Sequence, residues 1–292
     1  MSDNKRDKLG ILYERTERFS PSNQQAIGNF IEAGIKHGMH VEILSRHDIY
    51  RLPEFKVLFI RDTTHERNYT NAFALFAKAL NMSCIDDCES IRKCNNKILM
   101  HKIFKKHKIP TPETFCPKSI NIQHYSKFKK PFVIKEHDSS FSRGIHKVSN
   151  VNELQKILWE IKNKNLVMQE YVPTKFDWRI GIFRGEAIFA CKYFMSKDDW
   201  RIIKYDRIDV YKYNEGEHET IPVEHVKKNI IELAEAAAKL FGNGLYGVDI
   251  KIVKGKPLVI EVNDNPNIDA GIEDQILGQK LYEKIIVNLC RI

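Results

Sequence analysis

The sequence predicts a two-domain protein that mixes helices and strands. With 292 residues, the chain is long enough for two domains that each bury a hydrophobic core. Strand and helix patterns alternate over about the first 90 residues, which is typical of a mostly parallel α/β sheet. The remainder contains hairpin patterns and one long helix pattern. We therefore expect a second unit, of α+β character, to begin near residue 90.

The first domain is predicted from the order strand, helix, strand, strand, helix, strand. Its strand patterns are KLGILYE, MHVEILS, KVLFIRD and MSCID. The segment NQQAIGNFIEAGIKHG, residues 23 to 38, repeats apolar residues at helical spacing and ends at Gly38, a natural helix stop. The second helix is expected over YTNAFALFAKALN.

The second unit is predicted to begin with a helix and to continue with hairpins. Apolar residues recur at helical spacing from Ile98 to Phe104, and the prolines at 110 and 112 end this pattern. A long helix is expected over VEHVKKNIIELAEAAAKLFGNG, with Gly242 at its end. The other predicted elements are the two strands of PFVIKEHDSSFSRGIHKV, the helix VNELQKILWEIKNK, the strand LVMQEYV, the hairpin DWRIGIFRGEAIFACKYF and the closing hairpin LYGVDIKIVKGKPLVIEVN.

Composition limits the class of protein. Hydrophobic residues make up 42% and charged residues 29% of the chain, the balance of a soluble globular protein. No apolar run approaches the roughly 18 residues that a membrane span needs. The N-terminal MSDNKRDKLG is not followed by the apolar core of an export signal. We therefore expect a cytoplasmic protein without a membrane partner.

Cysteine spacing argues against a zinc site, and the distribution of basic residues argues against a nucleic-acid partner. The six cysteines are scattered along the chain, and Cys84, Cys88 and Cys94 lack the paired short spacing of zinc ligands. The net charge of +9 fits a nucleic acid, a polyphosphate or an acidic peptide. Because the basic residues are spread out and no aromatic RNA-binding signature accompanies them, nucleic acid is the weakest of the three.

The stretch VIEVNDNPNID, residues 259 to 269, suggests a metal site. Glu261 and Asn263 lie two residues apart on one strand and therefore share a face, and Asp249 lies inside the neighbouring strand pattern. Three oxygen-bearing side chains on adjacent strands suit Mg²⁺, which prefers carboxylate and carbonyl oxygens together with phosphate and water. The alternative is a half-exposed strand whose polar side chains point to solvent. The pattern alone leaves both open.

Convergence of these three side chains depends on the register of the closing hairpin. Asp249 joins the shared face only if it pairs with residue 261 or 263. A plain two-residue turn is expected to pair it with Val262. The metal hypothesis therefore requires an odd-length connection or a bulge around residues 254 to 257.

Two lysines are candidates for phosphate binding. Lys135 ends the strand PFVIK, and the loop after it contains Ser139, Ser140 and Gly144, which could offer hydroxyl and backbone donors to an anion. Lys97 lies on the preceding helix. The loop lacks the GxxxxGK[ST] spacing of a Walker motif. For each lysine, a solvated position at the end of an element is the open alternative.

Together these motifs resemble the ATP-grasp superfamily, and within it the RimK-like amino-acid ligases. The resemblance is carried, in chain order, by Lys97, PFVIK with its loop to Gly144, MQEYV, DWR, YGVDI and VIEVNDNPNIDAGIED. The stretches PSNQQAIGNFI, LFIRDTT and IDDCESIRKCNNK resemble the N-terminal domain of one RimK-like branch. The resemblance thus covers nearly the full chain.

The resemblance implies an ATP-grasp fold, with ATP held between two α+β subdomains, after a small α/β N-terminal domain. The implied domains are residues 1–90 and 91–292. Within the second, a central lid-like subdomain is implied at about 125–172 and a C-terminal subdomain at about 173–292.

The resemblance also implies roles for individual residues. Those implied to contact the ATP phosphates are Lys97, Lys135, Ser139, Ser140 and Gly144. Those implied to hold adenine and ribose are Gln169, Glu170, Tyr171, Val172 and Asp177. Those implied to bind Mg²⁺, or Mn²⁺ in its place, are Asp249, Glu261 and Asn263.

The chemistry of phosphoryl transfer accounts for this set of charges. Moving a γ-phosphoryl group to a carboxylate requires charge neutralisation and positioning, which metal ions and lysines supply. An amine then attacks the acylphosphate, and a cation near the carbonyl would stabilise the oxyanion. Arg179 and Lys192, on the hairpin of residues 178 to 194, are the candidates for this catalytic cation. The alternative for Arg179 is a salt bridge with Asp177 or another neighbour.

The sequence as a whole predicts an ATP-dependent carboxylate-amine ligase that adds an amino acid, such as glutamate, to a peptide, protein or small amine. One alternative is a ligase that closes a ring within a peptide, and another is a nucleotide-binding regulatory module without turnover. Lys204 stands near a position where the family tends to place asparagine, so the substrate pocket is the least determined part. The sequence is compatible with a homo-oligomer but does not specify the oligomeric state.

Overall fold

The computed structural model describes residues 8–14, 20–139, 143–161, 165–206 and 212–289. Three larger sheets in this part of the chain surround one cleft. Ser140 and Cys290 lie outside the described residues. Within the ranges given above, no helix has the length and apolar character needed to cross a membrane.

The N-terminal sheet is parallel, as the alternating pattern predicts. Its strands are β1 (Lys8–Leu12), β2 (His40–Leu44), β3 (Val57–Ile60) and β4 (Ser83–Ile85), in the order β2-β1-β3-β4. Helix α1 (Gln24–Lys36) packs on one face and α2 (Tyr69–Ala79) on the other. Helix α1 begins after Asn23, whose side chain accepts a hydrogen bond from the Ala26 amide. It is followed by Gly38 at a φ of 78°, which glycine adopts without strain.

Two helices lead from the N-terminal sheet to a central antiparallel sheet. These helices are α3 (Cys88–Cys94) and α4 (Lys97–His107). The central strands are β5 (Thr114–Phe115), β6 (Phe132–Glu136), β7 (Ile145–Val148) and β8 (Leu166–Glu170), in the order β5-β8-β6-β7. Helix α5 (Val151–Glu160) buries Leu154 and Ile157 in the core of this sheet.

The C-terminal part consists of a five-stranded antiparallel sheet and a separate ribbon. The strands are β9 (Phe176–Phe183), β10 (Glu186–Phe194), β11 (Ile203–Tyr205), β12 (Tyr213–Glu215), β13 (His218–Ile221), β14 (Leu245–Val253) and β15 (Lys256–Asp264). The sheet has the order β13-β10-β9-β14-β15, and β11 pairs with β12 as the ribbon. Helix α6 (Lys228–Lys239) covers one face of the sheet. The other face lines the cleft and shares a core with α1, α7 (Gln279–Leu289) and the N-terminal sheet.

Some elements of the C-terminal part differ from the sequence prediction. Helix α6 begins at Lys228, because Val223–His225 form a short 3-10 turn instead of its first turn. The ribbon, β13 and α7 were not predicted. The strands concerned have three or four residues, which is too short for a period-of-two pattern to be recognised.

The closing hairpin pairs Asp249 with Glu261, as the metal hypothesis requires, but the expected position of the bulge was wrong. A two-residue turn joins β14 and β15. Continued without interruption, this register would place Asp249 opposite Ile260, not opposite Val262 as expected. A β-bulge makes Ile260 the extra residue, far from residues 254 to 257. Ile260 and Glu261 therefore both oppose Asp249, and both line the cleft.

A second bulge, in the hairpin of β9 and β10, moves Lys192 away from the cleft. The register set by the two-residue turn would place Lys192 opposite Asp177, on the cleft face. One extra residue, Ile188, shifts the pairing, so Lys192 pairs with Trp178 on the α6 face of the sheet. Arg179 lies on β9, which has no extra residue in this pairing, and its side chain is on the cleft face.

Candidate active site

A cleft of about 250 Å³ lies where the three sheets meet. The sequence-predicted residues that line it are Lys97, Lys135, Ser139, Gln169, Glu170, Tyr171, Val172, Asp177, Arg179, Asp249, Glu261 and Asn263. Two other predicted residues, Gly144 and Lys192, do not line it. The N-terminal part adds Pro21, Thr63 and Thr64 to the wall. Residues predicted from separate stretches of sequence are therefore brought to one place.

Asp249, Glu261 and Asn263 form one polar group on the cleft face of β14 and β15. Asn263 Nδ2 donates a hydrogen bond to Asp249 Oδ2 at 3.2 Å. The described residues contain no cluster of three or more His, Cys, Asp or Glu that could hold a metal ion. A metal site here would therefore combine two carboxylates with the carboxamide oxygen of Asn263. Such oxygens are the ligands that Mg²⁺ prefers.

Both carboxylates of this group are paired with cations. Arg179 Nε and Nη2 donate to the two oxygens of Asp249 at 2.8 and 2.9 Å. Lys97 Nζ donates to Glu261 Oε1 at 3.0 Å. Burial raises the pKa of Glu261, but the charges of Lys97 and Lys135 outweigh burial, so the net pKa is lowered. Glu261 is therefore ionised at neutral pH.

Lys135 presents a buried ammonium group to the cleft. Its side chain, on β6, is only 9% exposed. Among the residues that the structure describes, none forms a hydrogen bond or ion pair with it. Burial lowers the pKa of Lys135 to about 8; Glu261 opposes this shift and the charge of Lys97 adds to it. A desolvated cation without a fixed counter-charge is suited to bind an anion such as phosphate.

The described residues that follow β6 lie at this end of the cleft. Lys97 Nζ donates to the Ser139 carbonyl oxygen, and the Lys97 amide donates to the His137 carbonyl at 2.8 Å. Ser139 Oγ donates to the Glu136 carbonyl at 3.0 Å, so this hydroxyl supports the loop itself. Gly144 has a φ of 58°, and a Cβ at this position would lie 2.9 Å from the Glu136 side chain. Gly144 therefore shapes the loop without lining the cleft.

The end of β8 and the start of β9 form the opposite end of the cleft. Gln169 Nε2 donates to Thr114 Oγ1 at 3.0 Å, which fixes this side chain at the end of β8. Asp177 accepts from Thr174 Oγ1 at 2.8 Å and from Lys251 Nζ at 2.6 Å. Burial raises the pKa of Asp177 although Lys251 and Thr174 lower it. Lys251 was not predicted, because its contribution depends on the hairpin register.

Arg179 is held from two sides. It forms the bidentate pair with Asp249, and its guanidinium carbon lies 5.2 Å from the centre of the Tyr193 ring. Burial disfavours the charge of Arg179, but Asp249 outweighs burial and the pKa is raised. The hydroxyl of Tyr193 donates to the buried carboxyl of Glu273. The predicted alternative of a salt bridge thus holds, with Asp249 as the partner, and the side chain still faces the cleft.

Lys192, the other predicted catalytic cation, points elsewhere. Its Nζ pairs with Glu219 at 2.9 Å and lies over the rings of Phe176 and Trp178, on the α6 face of the sheet. The structure does not bring Lys192 to the cleft. The cause is the bulge at Ile188, which a sequence pattern does not reveal.

An aromatic contact lines the cleft at the end of β8, and it was not predicted from the sequence. The rings of Tyr171 and Trp200 meet edge to face, with centroids 5.7 Å apart. Lys147 Nζ lies 5.0 Å from the Tyr171 ring centre and 5.6 Å from that of Trp200. Trp200 follows an irregular segment after β10, so no periodic pattern could have placed it.

A buried arginine fixes the turn after Asn263. Arg61 is fully buried, and its Nη1 donates to Asn265 Oδ1 at 2.6 Å. Its Nη2 donates to the carbonyl oxygens of Pro21 at 2.6 Å and Pro266 at 2.9 Å. Burial lowers the pKa of Arg61 to about 10. Because Asn265 and Pro266 line the cleft, Arg61 couples the N-terminal part to its wall.

Sequence comparisons with known proteins give one matching family model and related ligases. A model of the ATP-grasp domain matches residues 94–268. The alpha-aminoadipate–LysW ligase LysX of Saccharolobus solfataricus is 28% identical over 256 residues, which is 82% of this chain and 88% of that protein. A probable alpha-L-glutamate ligase of Parasynechococcus marenigrum is 22% identical and covers 94% of this chain, which spans 63% of that protein.

Solved structures have the same overall fold. The D-alanine–D-alanine ligase of Bacillus anthracis superimposes with a TM-score of 0.72 at 16% identity, over 97% of each chain. A RimK domain ATP-grasp protein of Sphaerobacter thermophilus superimposes with a TM-score of 0.69 at 14% identity, over 97% of this chain and 98% of that one. The ATP-grasp fold implied by the sequence is thereby confirmed.

Proposed function

We propose, since this chain belongs to the ATP-grasp family and is a RimK-like ATP-dependent carboxylate-amine ligase, that its substrates are an amino-acid carboxylate and an amine on a peptide, protein or small molecule. Relatives named as ligases of aminoadipate and of glutamate support an amino acid as the carboxylate substrate. A cytoplasmic location, where ATP is available, is part of the same proposal.

The observation that carries the assignment of the nucleotide site is the buried ammonium of Lys135. Its charge is held in the protein at a cost that Glu261 only partly offsets, and among the described residues no carboxylate forms an ion pair with it. Triphosphate binding would supply a counter-ion. Lys97 lies beside it, tied to the loop by the Ser139 carbonyl, and would contact the same phosphates. Tyr171 and Val172 would contact adenine, and Asp177 would hold the ribose hydroxyls.

Asp249, Glu261 and Asn263 would hold Mg²⁺, or Mn²⁺ in its place. The donor set fits, because it offers two carboxylates and a carboxamide oxygen on one sheet face. Such an ion, when bound, would supply positive charge beside the terminal phosphates. Lys97 and Arg179 neutralise the carboxylates in the structure described here, so both cations would redistribute between carboxylate and substrate.

The protein's own residues support a two-step reaction. A substrate carboxylate oxygen attacks the γ-phosphorus of ATP, which forms an acylphosphate and releases ADP. The amine then attacks the acyl carbon, inorganic phosphate leaves, and the amine gives up a proton. Arg179 would stabilise the oxyanion of the second step, since it faces the cleft from the middle of the sheet. The contact with Tyr193 would keep its guanidinium in place.

The test is product identification by mass spectrometry with ATP, Mg²⁺ and a mixed pool of amino acids and peptides. We expect a product with the summed mass of one acid and one amine less one water, together with ADP and phosphate. Hydroxylamine should replace the amine and trap the acylphosphate as a hydroxamate. A product that equals one peptide less one water would instead identify ring closure. Tight ATP binding without product or hydroxamate across the pool would refute ligation and favour a regulatory module.

Two substitutions on one hairpin give a matched control. Arg179→Met should reduce ligation by about a hundredfold or more, because it removes the cation from the cleft. Lys192→Met should leave ligation within about threefold of the unmodified protein, since it removes a cation from the α6 face of the same strands. Equal loss in both variants would contradict the assignment of Arg179.

A further inference from the structure

The ribbon of β11 and β12 forms one wall of the cleft and carries an acidic residue. Ile203 pairs with Glu215 across this ribbon, so the two side chains share a face. Both line the cleft, opposite the sheet that carries Arg179. Glu215 therefore faces the space in which substrates meet, although it lies on no motif that the sequence singled out.

The position of Glu215 is fixed by tight backbone packing. A Cβ at Gly216 would lie 1.9 Å from the Phe194 carbonyl oxygen, so only glycine allows this approach of the ribbon to β10. The Phe194 amide donates to the Glu217 carbonyl at 2.8 Å, and the Gly216 amide donates to the Ile202 carbonyl at 2.9 Å. The segment that carries Glu215 is therefore bonded to β10 of the sheet and to the residue before β11, and Glu215 does not sit on a free loop.

Unlike three other carboxylates of the cleft, Glu215 has no cationic hydrogen-bond donor among the described residues. Asp177, Asp249 and Glu261 each accept a hydrogen bond from a cation. Among the described residues no donor reaches Glu215, and the nearby guanidinium of Arg179 is engaged by Asp249. Although Glu215 is exposed to the cleft, loss of hydration raises its pKa, and the charge of Asp269 adds to the rise while Arg179 and His218 oppose it. This end of the cleft thus has a carboxylate that favours a cation.

We propose that Glu215 binds the amine substrate in its ammonium form near Arg179, and that the Glu215 carboxylate accepts the proton that this ammonium must lose before its nitrogen attacks the acyl carbon. This inference rests on the proposed function and names the residue that selects the amine. A carboxylate and an ammonium group form a charge-assisted hydrogen bond, which is strongest where water is partly excluded. Tyr193, Met195 and Ile202 also line the cleft and offer apolar surface to the stem of such an amine.

The inference can be tested by binding, without turnover. The protein is loaded with Mg²⁺ and ADP and titrated with glycinamide, a cationic primary amine without a carboxylate, and binding is followed by ligand-observed NMR. The variants are Glu215→Gln and, as the matched control, Glu217→Gln, an exposed residue of the same segment that does not line the cleft. Glu215→Gln should weaken glycinamide binding about tenfold to a hundredfold, the loss of one charge-assisted hydrogen bond. Glu217→Gln should leave it unchanged.

A kinetic arm separates this inference from the proposed function. Glu215→Gln should raise the KM for glycinamide as acceptor and leave hydroxamate formation within about twofold, because hydroxylamine is largely uncharged and needs no carboxylate. Equal glycinamide binding in the unmodified protein and in Glu215→Gln would overturn the inference, as would glycinamide binding that Glu217→Gln weakens to the same extent. Failure of the unmodified protein to form any hydroxamate would overturn the proposed function and leave the binding result standing. Unchanged ADP affinity in both variants verifies that the fold is intact.

Discussion

Replacing Lys135 with methionine should have opposite effects on stability and on nucleotide binding. Methionine fills similar space without a charge. The pKa of Lys135 is about 8 in the folded protein against its usual 10.5, so folding disfavours the charged form. This penalty is fully present below pH 8 and disappears as the pH rises to 10.5. At neutral pH it amounts to roughly 3 kcal/mol.

The expected result is a free protein that is more stable by up to roughly 3 kcal/mol, because the net penalty on the charged form already includes the attraction of Glu261. The affinity for ADP should fall by roughly 10- to 150-fold, the value of a hydrogen bond between charged groups. Urea unfolding without nucleotide gives the first quantity, and calorimetric titration with Mg²⁺ and ADP gives the second.

A matched control is Lys156→Met, which removes an exposed lysine of α5 whose side chain is 76% exposed. It should change neither quantity by more than about 0.5 kcal/mol. If Lys135→Met lowers the stability of the free protein while the ADP affinity stays the same, Lys135 is a structural residue and the reasoning about the phosphate site is refuted.

Three further predictions follow from the same contacts. Asp249→Asn combined with Glu261→Gln should abolish Mg²⁺-dependent ligation and weaken Mg²⁺ binding measured by calorimetry, and an active double variant would exclude the metal assignment. Because bound phosphate favours the charged form of Lys135, ADP binding between pH 8 and 10.5 should take up a proton. Calorimetric titrations in buffers of different ionisation enthalpy would detect this proton uptake. Proton uptake that persists in Lys135→Met would contradict its assignment to Lys135. Arg61→Met should lower the free energy of unfolding by roughly 3 kcal/mol or more, because it leaves buried carbonyl groups without donors. The control Arg92→Met, on the exposed face of α3, should lower it by less than about 0.5 kcal/mol.

Local patterns were sufficient to predict the strands of the N-terminal sheet and of the closing hairpin, although not the bulge that sets the register of that hairpin. In the parallel sheet, each strand is a short apolar run next to a helix of period 3.6, and these signals are contained within single segments. The period of two in β15 placed Glu261 and Asn263 on one face, where the structure has them. These predictions required no knowledge of distant contacts.

Features that depend on contacts between distant segments were not predicted. Arg61 reads as a polar residue at the end of a strand, and its burial depends on carbonyl groups some two hundred residues away in sequence. Glu273 and Trp200 lie in irregular segments and gain their partners only when the chain folds. The outcome for Lys192 was decided by a single extra residue at Ile188, and no pattern of residue types signals such a bulge.

The bulge in β15 has a consequence for chemical biology. Ile260 lines both the main cleft and a smaller cavity of about 30 Å³, which is also lined by Met100 and Phe104. As the extra residue of the bulge it is only half-buried, and it belongs to neither core of the sheet. Shortening Ile260 to alanine would therefore enlarge both spaces at the same point without removing a residue of either core. Position 260 is therefore a suitable site for engineering a variant that accepts an enlarged nucleotide analogue. The products of such a variant could be tagged selectively in a mixture of enzymes.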